Sequence, residues 1–132
     1  MNLVDKLMAV EPSKIEEKAE TTIESQKLRR LLGSEDPVEV RLREGDPATV
    51  MDLSMMAKGK NKTGDDVMKV LALIACECVV EPDLKSKELQ KHFNCTTPKE
   101  LAIKLFGMEL DNIANKAIEL TGVGNTEEEV KN

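Results

Sequence analysis

The chain has a single histidine, His92, and three cysteines, Cys76, Cys78 and Cys95. These are the side chains that would hold a transition metal or pair a nucleophile with a base. One histidine cannot build a histidine metal site. Cys76-Glu77-Cys78 lies in a strongly apolar stretch, where a helix would point the two thiols about 200° apart, too far to share one zinc ion. They read instead as small buried apolar residues. Cys95 has no second ligand pattern near it, and no second histidine is available as a base, so it reads as a turn residue rather than a nucleophile. Asp65-Asp66 would suit a metal or acid–base catalysis, but paired acids at a helix start ordinarily serve the cap and the dipole. Lys58, Lys60 and Lys62 cluster around Gly59. No aromatic residue interleaves them, and no Gly-Lys-Ser/Thr opens the next helix, so they read as a solvated loop rather than a nucleic-acid or phosphate site. No catalytic, cofactor-binding or metal-binding residue is therefore assigned, and no cofactor is expected.

Two apolar groups remain. One is the stripe Leu3, Val4, Leu7 and Met8. The other is Met51, Met55 and Met56. Each offers either a layer of core, the simpler reading in a chain of this size, or an exposed groove for a partner's amphipathic helix. Leu3, Leu7, Met8, Met51, Met55 and Met56 are the candidate partner-binding residues.

The elements that must carry these residues follow from composition and periodicity. With 132 residues, 40% apolar, the chain suits one small domain. Two Phe, no Tyr, no Trp and seven Met require a core of aliphatic side chains and methionine, which favours helices over strands. The expected fold is mainly α: a compact bundle of about five to six helices, with at most one short strand or hairpin near residues 38–45. The expected domain spans 1–123, with 1–25 peripheral or mobile, followed by a disordered acidic tail at 124–132. A net charge of −6 argues against nucleic-acid binding and against docking on an anionic membrane. No apolar run reaches the length of a membrane-spanning helix. The N-terminus, with Asp5 and Lys6 inside its apolar stretch, is unlike a secretory signal.

Along the chain, Leu3, Val4, Leu7 and Met8 lie on one face of a short amphipathic helix, and Pro12 ends it or starts the next. Ser13 to Ser25 carries only Ile15 and Ile23 as large apolar residues and is expected to be exposed or mobile. Gln26 to Leu32 is helical, with Gly33 as its C-cap. Val38, Val40 and Leu42 alternate with charged residues, giving one strand, half of a small hairpin. Asp46-Pro47 caps a helix to about Lys58, and Gly59 to Gly64 is a loop. Asp65 or Asp66 starts a helix over Val67–Val80, apolar on almost every side and so the expected centre of the bundle; Pro82 prevents its continuation. Leu84, Leu89 and Phe93 anchor a short helix. Thr97-Pro98-Lys99-Glu100 opens another as a capping box, with Leu101, Leu105 and Phe106 inward and Gly107 as its stop. A last helix runs from about Glu109 to Leu120, closed by Gly122.

The run Pro82-Asp83-Leu84-Lys85-Ser86-Lys87-Glu88-Leu89, then Phe93, Thr97-Pro98-Lys99-Glu100-Leu101 and Lys104-Leu105-Phe106, resembles the tail assembly chaperones of contractile-tailed phages and prophages of Gram-positive bacteria, the XkdN-like family. Met1-Asn2-Leu3-Val4-Asp5-Lys6-Leu7 resembles the start of such proteins. The resemblance is dense from about Val70 onward and sparse over Glu35–Gly64; Asn94-Cys95 stands where members often have glycine. It implies a non-enzymatic protein that binds and solubilises the tape-measure protein, many copies to one client, with the tail tube protein as a further partner and self-association allowed. It places the chain in the cytoplasm of the bacterial host and outside the mature virion. The alternative is a small structural tail component, a completion or connector protein, that stays in the particle.

Overall fold

The structure, a computed structural model, describes residues 2–59 and 62–122. Its elements in chain order are α1 (Leu3–Met8), a 3₁₀ turn (Pro12–Glu16), β1 (Glu20–Glu24), α2 (Gln26–Leu32), β2 (Glu39–Arg43), α3 (Pro47–Ala57), α4 (Gly64–Cys78), β3 (Val79–Glu81), α5 (Lys87–His92), α6 (Pro98–Phe106), a 3₁₀ turn (Gly107–Glu109) and α7 (Leu110–Thr121). The fold is mostly helical, as composition requires. The expected tail at 124–132 lies outside the described residues.

Helix α4 is the hub. Val70, Leu71, Ala72, Ile74, Ala75 and Cys78 are buried along it, and α3, α6 and α7 pack around it. The core is completed by Val50 from α3, by Leu101, Leu105 and Phe106 from α6, and by Leu110, Ile113, Ala114 and Ala117 from α7. Both ends of α4 differ from expectation. It starts one turn early, because Thr63 rather than an aspartate is the N-cap and forms a full capping box with Asp66. It stops at Cys78, because Val79 and Val80 favour extended backbone and Glu81 precedes Pro82, a position biased away from the helix.

Strand content exceeds the single strand or hairpin expected. A three-stranded antiparallel sheet runs in the order β1-β2-β3. Ile23 pairs with Val40 and Thr21 with Leu42. The partner of β2 therefore comes from the Ser13–Ser25 stretch expected to be exposed or mobile, on the far side of α2. Glu20-Thr21-Thr22-Ile23-Glu24 does alternate, but its inward face is only half-buried, and one isoleucine is a weak sign of a strand. The third strand is the segment that α4 gives up. Val40 and Leu42 are fully buried, so the sheet's one apolar face closes the helical core.

The starts of α1 to α6 are capped by side chains. Asp46 accepts from Thr49 N, Ser86 from Leu89 N and Thr97 from Glu100 N. The box expected at Thr97 forms only half: the Glu100 carboxylate turns to Thr96, accepting from its hydroxyl at 3.0 Å and its N–H at 3.4 Å. Helix α2 is capped from a distance. Ser25 Oγ accepts from Leu28 N and donates to Glu109 Oε1 at 2.6 Å, while Glu109 Oε2 accepts from Gln26 N at 2.8 Å. A carboxylate more than eighty residues away thus satisfies the free amides of α2.

Candidate partner-binding surface

Helix α3 shows two faces to two environments. Val50 is buried, and Leu53 and Ala57 pack partly against the core. At 3.6 residues per turn, Met51, Met55 and Met56 fall on the opposite arc, about 140° wide. Their exposures are 48%, 66% and 47%. The simpler sequence reading, that they are core, is therefore overturned: the inward stripe of α3 is filled by Val50, Leu53 and Ala57. Three long, unbranched thioether side chains stand on a helix fixed to the hub, with Asp52 among them. Such side chains adapt to apolar partners of varied shape.

The N-terminal stripe is also out of the core. Leu3, Val4, Leu7 and Met8 are exposed, from 61% at Leu7 to 81% at Met8, and α1 buries none of its residues. Val10 and Ile15 are exposed as well. Residues 2–19 form an arm that touches the body at its base, where Ala19 N donates to Glu44 Oε1 and Glu44 N to Ala19 O. The two candidate groups are thus not brought together: one is on the body, the other on the arm.

The polar candidates are placed as helix chemistry. The Asp66 carboxylate is held below its ordinary range by hydrogen bonds from the Thr63 backbone and side chain. Asp65 pairs with Lys69 one turn on at 2.9 Å. The Cys76 thiol is pushed up to about 11 by burial, against the opposing pull of Lys85 and Lys99. Burial also raises Cys78. Both are neutral at physiological pH and are packing groups rather than nucleophiles. Lys58 and Lys62 are exposed, and Lys60 lies outside the described residues. Among the described residues no group of three or more His, Cys, Asp or Glu side chains converges as a metal site would require, and no helix is long and apolar enough to cross a membrane.

One surface feature was missed by sequence. A groove of about 360 Å³ lies between α2 and α6, lined by Lys27, Arg30, Leu31, Phe93, Lys104 and Leu105. Its floor is apolar and its rim cationic. The spacing gave no sign of it: Leu31 and Leu32 stand three and four residues after the inward Leu28, which puts all three on one side of the helix, yet both are exposed. A mixed-charge cleft of about 250 Å³ beside Gly45 is lined by Lys18, Arg43 and Lys85 against Glu44, Glu77 and Asp83.

The chain is similar to known proteins in sequence and in fold. The phage-like element PBSX protein XkdN of Bacillus subtilis (strain 168) is 37% identical over 82 residues, covering 57% of this chain and 55% of that protein. The match thus spans about half the length of this curated relative. The crystal structure of the protein yqbn shares the fold with a TM-score of 0.52 at 25% identity, over 78% of this chain and 86% of that one. The phage XkdN-like tail assembly chaperone family matches residues 4–132. From Val4 to the last residue, then, the chain belongs to the XkdN-like family of phage tail assembly chaperones.

Proposed function

We propose that this chain binds the tape-measure protein during tail assembly and keeps it dissolved through the methionine face of α3. The observation that carries the reading is the exposure of Met51, Met55 and Met56 on a helix whose other side is anchored to the core. A tape measure is a long, largely helical chain with apolar faces that associate with one another when uncovered. A methionine face accepts many non-identical sites along such a client. Each contact is small and readily displaced as tube subunits arrive, and many copies on one client hold by multivalency. Net charge −6 keeps the loaded complex apart from its neighbours. The work is done in the host cytoplasm, and the chaperone leaves before the particle is complete.

Co-expression with the tape-measure protein of the same gene cluster tests this. The expected result is a rise in soluble tape measure and a complex that co-purifies. Unchanged solubility with no complex contradicts the proposal. Stoichiometric recovery of the chain from purified mature tails, read by mass spectrometry, would favour a structural tail component instead.

A further inference from the structure

Asp52 poses a physical problem on the methionine face. Around α3, at about 100° per residue, it falls inside the arc of Met51, Met55 and Met56, between Met55 and Met56. Its neighbours one turn away are Ala48, Thr49, Met55 and Met56, so no cation on the adjoining turns of its own helix can pair with it. It is exposed, and among the described residues no lysine or arginine lies within ion-pair distance of it. Nor does it serve the helix start, where Asp46 is the N-cap.

In the free protein, water solvates this carboxylate. A seated client takes that water away. Hydrocarbon laid over an ionised, unpaired carboxylate is an unfavourable burial that three methionines do not offset. Asp52 cannot escape to the margin of the contact either. Its side chain is too short to reach past Met55 and Met56 to solvent, as a lysine's would. The face therefore disfavours a purely apolar segment, although every methionine on it would accept one.

We propose that the client segment seated on α3 is an amphipathic helix with a lysine or arginine inside its apolar stripe, and that this cation pairs with Asp52. The inference rests on the client reading above and narrows it. The aliphatic stem of the cation lies along Met55 and Met56 while its charged end meets the carboxylate. The methionines adapt to the shape of the stripe, and the charged hydrogen bond fixes its register. Segments without the cation leave Asp52 covered and unpaired and are rejected. A second copy of this chain is rejected on the same ground, since its α3 brings another Asp52. Beneath the client the pair is shielded from solvent, so salt screens it little.

The test sets two chains in competition for one client. Wild type and a variant are co-expressed with a tagged tape-measure protein of the same gene cluster. Mass spectrometry reads the ratio of the two chains in the purified complex, relative to their ratio in the lysate. Asp52→Asn keeps the shape and removes the charge, and the wild type should exceed it about tenfold. Asp52→Lys should be absent from the complex, whereas Asp52→Glu, which keeps the charge, should stay close to the wild type. Asp52 is exposed, and circular dichroism should show all three variants folded. An even ratio of wild type to the Asp52→Asn variant, or an excess of that variant, as when the carboxylate only keeps free faces apart, overturns the proposal and leaves the client reading standing. A tape measure that captures neither chain overturns the client reading, and this proposal with it.

Discussion

Burial governs the chemistry of Cys76 and Cys78 on α4. Cys76 ionises near 11 in the folded chain, against an ordinary thiol value of 9.0. Its neutral form is favoured by folding, so its contribution to stability is fully present below about pH 9 and is lost as pH rises from about 9 to about 11. Urea unfolding across that range should show the decline, and a Cys76→Ser variant should show less of it. Alkylation of the native protein at neutral pH should leave both α4 thiols largely unmodified. At Ser25 and Glu109 the stakes are structural. Glu109→Gln, which keeps shape but removes the charge that caps α2, should cost about 1–2 kcal/mol of unfolding free energy; a urea midpoint equal to the wild type's would mean that water replaces the bond. The dull reading of the thiols was legible from the C-x-C spacing in an apolar run. The Glu109 cap was not, because no local pattern announces a bond spanning more than eighty residues.

Elements were legible where punctuation and periodicity agreed. Thr97-Pro98 and Gly107 bound α6, Asp46-Pro47 starts α3, and Gly33 and Gly122 end α2 and α7 in left-handed conformation. They failed where tertiary pairing outranked local composition. Strand β1 exists because Thr21 and Ile23 find Leu42 and Val40, and β3 exists because the end of the α4 segment pairs with β2. The exposure of the two candidate stripes was equally beyond sequence, since an apolar face on a short helix has the same pattern whether or not something lies over it. Gly45 joins β2 to α3 in a tight place. A Cβ there would stand 2.8 Å from Glu77 Cγ, 3.0 Å from Val50 Cγ2 and 3.1 Å from Cys78 Sγ. Gly45→Ala should therefore destabilise the protein by about 1–3 kcal/mol, read as a lower urea midpoint. Combining it with Cys78→Ala should recover part of that loss, since one obstructing atom is removed.

At the scale of the molecule, the fold separates a closed body from what it displays. Helix α4 binds α3, α6 and α7 into one core, while the α3 methionines and the arm stripe stay uncovered. Family membership supplies the process, tail assembly, and the exposed faces supply a means of taking part in it. Because the client contacts are apolar, the complex should tolerate added salt. Co-purification of the complex in low and high salt reads this directly. The central claim is tested most directly by the triple replacement of Met51, Met55 and Met56 with glutamate. The variant and the wild type are each co-expressed with the tape-measure protein, and the tape measure recovered per chaperone is measured after affinity purification. The account predicts a several-fold loss of captured client with the helical circular dichroism unchanged. Equal capture by a folded triple variant would contradict it, and so would unfolding of the variant, which would return the three methionines to the core.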